Sequence, residues 1–290
     1  MAIDALQEAI RRTKNPTVLD LTLSPEALPP QLLAAEKREA AAYGRFCREL
    51  IEALRDTVPA LHLSFSAFAL LDGGKELSAV LKYARKLGYY VLLDAPEMLS
   101  PAAAEMAARA IWGENGMFPC DGLIVQSYLG SDLWKPFLPY VQGGKKDLFI
   151  VARTANRSAP EMQDLLTGSR LVHMAAADLA GREAADTVGK YGYTRVGLLA
   201  AASSAVSLKN LRSKYPRLFL LLDGLDYPNA NAKSCAQAFD KLGRGAAAIS
   251  GAAITCAWKE TGGDGGDYLD QAKAAAGRVK KNLTRYVNIL

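Results

Sequence analysis

Tyr90 to Ser100 reads YVLLDAPEMLS, an apolar run that ends in an acid, Asp94, followed by a proline and a short polar break. An uninterrupted apolar run of this length suits a strand covered on both faces, as in a parallel sheet. A carboxylate at the last position of such a strand is costly unless it faces water or has a partner. The stretch therefore predicts both a fold type and a wet end to the strand.

Runs of the same kind recur on either side of it. Strands are expected at TVLDLTL (Thr17–Leu23), ALHLSF (Ala60–Phe65), YYVLLDA (Tyr89–Ala95), GLIVQS (Gly122–Ser127), DLFIVAR (Asp147–Arg153), RVGLLAA (Arg195–Ala201), RLFLLLD (Arg217–Asp223) and GAAAISG (Gly245–Gly251). Helical patterns fill the intervals: Gln31–Thr57, Lys75–Leu87, Ala102–Trp112, Leu133–Val141, Pro160–Lys190, Ser207–Lys214, Ala232–Leu242 and Tyr268–Val287. Eight alternating β/α units are the number that closes a barrel. The expectation is an α/β protein, a (β/α)8 TIM barrel with an extra N-terminal helix, forming a single domain over residues 1–290. The eighth strand is small-residue and could be loop, which leaves a doubly wound open sheet as the structural alternative. The Gly/Asp stretch ETGGDGGD (Glu260–Asp267) reads as a flexible loop before the last helix.

Composition limits the function classes. A chain of 290 residues with 50% hydrophobic content can bury one large core. Its net charge of +5 comes from 35 basic and 30 acidic residues without a basic patch interleaved with aromatics, so no nucleic acid partner is expected. Cys47, Cys120, Cys235 and Cys256 are far apart and form no C-x-x-C pair; they read as free thiols. No run approaches the roughly 18 apolar residues of a membrane span, and MAIDALQEAIRRTK is an amphipathic helix pattern without a signal-peptide core. No membrane partner and a cytoplasmic location are expected, and no cofactor is implied.

In a TIM barrel the chemistry sits at the C-terminal ends of the strands. Those positions hold Asp20, His62, Asp94, Gln126 with Ser127, Arg153, Asp223 and Ser250. Asp20, His62 and Asp94 are at matching heights on neighbouring strands and could form a carboxylate–imidazole cluster. Such a cluster suits general acid/base work or a weak metal site, and equally a histidine pinned by two acids as a structural plug. Arg153 could meet an anionic ligand or form an ion pair across the mouth. His173, inside a helical pattern, reads as a packing or surface residue. No G-x-S-x-G, Walker loop or G-x-G-x-x-G is present. The loop after the seventh strand, DGLDYPNAN, carries Asp223 and Asp226, which repel a phosphate, and SGAAITCAW after the eighth offers no cation.

The segments FCRELIEALRDTVPALHLSFSAF, VLKYARKLGYYVLLDA, SYLGSDLWKPFL, VARTANRSAPEMQDL and LLLDGLD, in that order, resemble the orotidine 5′-monophosphate decarboxylases, specifically their longer bacterial branch. The resemblance runs from about Val18 to the C-terminal helix. It implies a TIM barrel, a carboxy-lyase of pyrimidine biosynthesis, and a homodimer with active sites at the interface. It also implies a third strand ending D-A-K-R-G-D, whose lysine protonates the carbon that loses the carboxylate and whose last acid reaches the neighbouring subunit's site. Here that stretch is Asp94, Ala95, Pro96, Glu97, Met98 and Leu99. The first-strand acid matches Asp20, but the second-strand lysine falls on His62. The threonine after the signature falls on Ala103, Pro228 stands where a glutamine would contact the ligand, and the phosphate-gripping arginine of the eighth loop is absent, with Ala253 or a neighbour in its place.

The departures strike proton donor, charge network and phosphate grip together, while the scaffold segments are intact. Losing one member of a group that acts as a unit commonly costs about a thousandfold or more in rate. The reading is a pseudoenzyme with a binding, regulatory or structural role, whose ligand contacts would come from Ser127, Arg153, Asp223 and Ser250. The alternatives are an enzyme using Asp20, His62 and Asp94 on a neutral or cationic small molecule or with a divalent metal, and a true orotidine monophosphate decarboxylase.

Overall fold

The structure, a computed structural model, describes residues 2–22, 27–72, 74–260 and 262–290. Eight parallel strands close into a barrel: β1 (Thr17–Asp20), β2 (Ala60–Ser64), β3 (Tyr90–Asp94), β4 (Gly122–Val125), β5 (Asp147–Val151), β6 (Thr194–Ala201), β7 (Leu218–Asp223) and β8 (Ala246–Ser250). Each pairs with its neighbours in sequence, and β8 closes the ring on β1. The open-sheet alternative is thereby excluded. The short, small-residue β8 is strand throughout because Leu220–Leu222 pair on one side and Thr17–Leu19 on the other. Leu23, the expected end of the first strand, lies outside the described residues, as does Thr261 of the Gly/Asp loop.

Backbone closeness explains two glycines in the barrel. A Cβ on Gly197 of β6 would lie 2.6 Å from the Phe219 carbonyl oxygen and 2.9 Å from the Phe149 ring. One on Gly122, at the start of β4, would lie 2.7 Å from Leu92 and 2.8 Å from the Tyr90 hydroxyl. At these two positions the space a side chain would need is already taken by Phe149 and the Phe219 backbone, and by Leu92 and Tyr90.

The extra N-terminal helix is Ala2–Thr13, and its Ile3, Leu6 and Ile10 are buried beneath the barrel. The outer helices match expectation at Pro101–Trp112, Ala205–Lys214 and Tyr268–Thr284, and over Lys75–Lys86. Ser100 caps Pro101–Trp112: its hydroxyl accepts from the Ala103 amide at 3.2 Å, and Pro101 pre-sets the first turn.

Several helices differ from the sequence expectation. The pattern over 31–57 breaks into Pro30–Ala35 and Glu39–Ala53, because Glu36 is extended at φ −103°. The stretch 160–190 is a short helix, Pro160–Gln163, then a hairpin pairing Leu166–Thr167 with Arg170–Leu171, then Val172–Ala184. Gly168, at φ +64°, makes that hairpin turn. Pro136 and Pro139 limit 133–141 to 3-10 turns and the helix Leu138–Gln142. The helix expected over 232–242 ends as a 3-10 turn at Ala238, where Phe239 is extended. A helix at Phe65–Asp72 was not expected, since its nearly unbroken apolar run, FSAFALLD, lacks the polar face that gives a helical period.

Candidate functional site

Register brings the titratable cluster together. Asp20 pairs with His62 across β1 and β2, and Ser64 with Asp94 across β2 and β3, so all three side chains reach the C-terminal mouth at neighbouring heights. The His62 ring spans the two acids, with Nδ1 2.9 Å from Asp20 Oδ1 and Nε2 3.0 Å from Asp94 Oδ1. Asp20 Oδ1 also accepts from the Thr22 amide at 2.8 Å.

His62 is 7% exposed. Burial works against a charged imidazole, but the Asp94 and Asp20 carboxylates, and the hydrogen bonds to both, outweigh it and hold the pKa well above the ordinary imidazole value. A doubly protonated ring donates to both acids at once, which a neutral tautomer cannot do. The cluster is thus an imidazolium held between carboxylates, with both nitrogens engaged. It cannot accept a proton from a ligand, and it can give one up only by leaving an acid. Asp94, whose side chain is 39% exposed, is the member open to the cavity.

That cavity, about 330 Å³, lies over the β2 to β5 side of the mouth. Its walls carry His62, Asp94, Glu97, Gln126 and Asp223, with an apolar floor that includes Ile124, Val151, Leu199 and Ile249. Burial pushes the Asp223 carboxyl up, and the Ala155 amide, which donates to Oδ2 at 3.2 Å, pulls back. Pro96 and Leu99 line the cavity directly. Ala103 is held in the helix cap, and Pro228 sits in the exposed loop after β7.

Three of the expected ligand contacts have partners within the chain. Arg153 does not face the cavity: its guanidinium grips Asp164 in a two-pronged pair, 2.9 Å from Oδ1 and 2.8 Å from Oδ2. Fork geometry suits a carboxylate, and Asp164, eleven residues on, supplies one. The same Asp164 lies 3.1 Å from His173 Nδ1, and His173 is buried. Ser127 is buried and donates to the Val151 carbonyl at 2.6 Å, so the strand-end position that reaches the cavity is Gln126. Ser250 donates to Asp226 Oδ1 at 2.6 Å.

Asp226 is the residue whose part sequence reasoning missed. Besides the Ser250 hydroxyl it accepts from the Gly251 amide at 2.7 Å and the Ala253 amide at 3.1 Å, all three donors coming from the end of β8 and its loop. An acid three residues beyond a strand end, after a glycine turn, is the signal that could have suggested it; the partner loop is distant in sequence and gave none. Among the described residues, no group of three His, Cys, Asp or Glu side chains has an arrangement that could hold a metal ion.

The fold and this arrangement define a class: a (β/α)8 barrel whose C-terminal mouth holds a carboxylate–imidazolium–carboxylate cluster beside a partly apolar cavity. No family profile matches the chain. Comparison with curated proteins places it nearer. It is 28% identical to the orotidine 5′-phosphate decarboxylase of Rhodopirellula baltica, covering 96% of this chain and 97% of that one. It is 26% identical to that of Clostridium novyi, covering 98% and 99%. Among solved structures, Leishmania donovani OMP decarboxylase superposes with a TM-score of 0.73 at 22% identity, covering 98% of each chain. The Plasmodium berghei orotidine 5′-monophosphate decarboxylase does so at 0.75 and 12%, again covering 98% of each. The chain is an orotidine 5′-phosphate decarboxylase-like TIM barrel, similar to these decarboxylases along nearly its whole length.

Proposed function

We propose that this barrel does not decarboxylate orotidine monophosphate efficiently and serves instead as a binding, regulatory or structural protein, working as a homodimer. One observation carries the reading: Pro96 lines the cavity at the position where the resemblance implies the proton-donating lysine. Proline has no proton to transfer. The neighbouring replacements run the same way, with Leu99 in place of an acid and His62, locked between Asp20 and Asp94, in place of a lysine. A lysine at the second strand would carry a mobile ammonium, whereas His62 has both nitrogens committed.

A second reading is supported by the curated relatives, which carry the name orotidine 5′-phosphate decarboxylase over nearly the full chain. The two separate in a single experiment. Purified protein at high concentration is assayed for loss of the orotidine monophosphate absorbance while the same sample is titrated calorimetrically with uridine and orotidine monophosphates. No turnover above the uncatalysed rate supports the proposal. Multiple turnovers overturn it and assign the proton to a donor other than residue 96.

A further inference from the structure

Asp164, His173 and Ser207 meet on the C-terminal side of the barrel, the side on which barrel enzymes do their chemistry. Asp164 follows the helix Pro160–Gln163 in the connection after β5. His173 lies in the first turn of Val172–Ala184, and Ser207 in the first turn of Ala205–Lys214, the helix after β6. His173 Nδ1 is 3.0 Å from the Gln163 carbonyl oxygen and 3.1 Å from Asp164 Oδ1. The two-pronged Arg153 pair holds the Asp164 carboxyl below the usual carboxylate range, so Asp164 stays ionised. Both partners of Nδ1 are therefore acceptors: Nδ1 carries the hydrogen, and a neutral ring keeps its lone pair on Nε2. That nitrogen lies 3.4 Å from the Ser207 hydroxyl. Contacts between a nucleophile and its base are often this long without a ligand and shorten in the reacting complex.

We propose that Ser207 is the nucleophile, His173 its general base and Asp164 the positioning residue of a second reactive site, one that takes the acyl group of small apolar esters. None of the three lines either mouth cavity among the described residues, so the site is separate from the barrel mouth and from the function proposed for it. His173 is buried and Ser207 half-buried, which shields the base while leaving the hydroxyl within reach. Exposed Met162 and Leu165 flank Gln163 and Asp164 in the chain, and exposed Val206 adjoins Ser207, an apolar setting that suits the acyl chain. Side chains lean toward the N-terminus of their helix, so a carbonyl held at Ser207 Oγ falls near the Ala205 and Val206 amides, which have no intrahelical acceptor. Those amides favour the oxyanion. Ser207 Oγ attacks the ester carbonyl carbon while its proton passes to Nε2; the bond to the alkoxy oxygen then breaks, and the alcohol leaves with that proton. Water attacks the acyl-serine, gives its proton to the same nitrogen, and that proton returns to Oγ as the acid departs.

The test treats the full chain with diisopropyl fluorophosphate and locates the label by peptide mass spectrometry, with p-nitrophenyl butyrate turnover read on the same sample. In this reaction an Oγ–P bond replaces the P–F bond, and fluoride and the serine proton leave. The label should settle on Ser207, and Ser207→Ala should lose both label and turnover. His173→Gln should slow labelling by about a hundredfold or more. Asp164→Asn should move the midpoint of the pH profile of labelling downward, because a carboxylate beside the ring favours the imidazolium; a merely structural role would leave the midpoint in place. The native chain decides the matter if a variant does not fold: its labelling rate should level off as the ring loses its proton. A rate that climbs in proportion to hydroxide, label on other residues, no label at all, or a folded His173→Gln chain that labels at the native rate would overturn the inference.

Discussion

His62 is where sequence, electrostatics and function meet most tightly. Where the resemblance implies a lysine, a histidine keeps a positive charge between two acids only if the ring stays doubly protonated, which the Asp20 and Asp94 contacts at 2.9 and 3.0 Å favour. Because the folded pKa stands above the unfolded value of about 6.5, the contribution to stability is complete below that value and fades as pH rises through the folded one. Nitrogen-detected NMR at pH 8 should therefore show both ring nitrogens protonated. The variant His62→Gln should lose about 2–4 kcal/mol at pH 6, because two carboxylates then share a half-buried site without their cation. The deficit in melting temperature should narrow on the alkaline side. A single protonated nitrogen at pH 8, or a deficit that widens with pH, would show that the ring is neutral and the cluster something other than an ion triad.

Elements were legible to the extent that their pattern was set by burial on both faces. All eight barrel strands lay where runs such as YVLLDA and LFLLLD placed them, since a strand covered by interior and helices needs apolar residues at every position. The outer layer was read less well. Glu36, Gly168 and Phe239 break helical patterns through backbone conformation that a 3.6-residue period does not report, and Phe65–Asp72 hid its helix in an all-apolar run. For the site, strand-end positions gave Asp20, His62 and Asp94 directly, because β1, β2 and β3 are adjacent both in sequence and in the barrel. For Arg153 the ion-pair alternative is the one the structure has, but its partner was not legible, since Asp164 lies in an irregular segment and no period forecasts which way a long side chain turns. The N-terminal helix makes a test at this scale. Leu6 is fully buried where Ala2–Thr13 seals the barrel floor, so Leu6→Ala should cost about 2–5 kcal/mol in urea unfolding, with the m-value unchanged. A cost below about 1 kcal/mol would mean that the helix is an accessory rather than part of the folded core.

At the scale of the whole molecule, the chain carries a net charge of +5 while, among the described residues, no lysine or arginine lines the cavities of its mouth, so these cations lie elsewhere on the barrel. Exposed apolar side chains lie on the sectors around that mouth. Leu70, Leu99, Met106 and Leu129 are 88%, 84%, 72% and 59% exposed, and they lie beyond the ends of β2, β3 and β4, three strands that are neighbours in the barrel. Large apolar side chains this exposed on adjacent sectors are of the kind that another surface covers. The homodimer proposed above would supply the occupant, since Leu99 stands where the resemblance implies an acid that reaches across the subunit boundary, and an apolar residue there would suit a permanent contact. Closed two-fold pairing puts the same patch against itself. Sedimentation velocity should accordingly give twice the 31.1 kDa chain mass at micromolar concentration. Leu99→Asp should raise the dimer dissociation constant by about a hundredfold or more, because a carboxylate would be buried against apolar side chains, while the far-ultraviolet circular dichroism stays that of the native barrel. A native chain that sediments as a monomer at 100 µM (about the scale at which weak pairs already associate) would sink the homodimer and turn the rim into the docking face of a different protein.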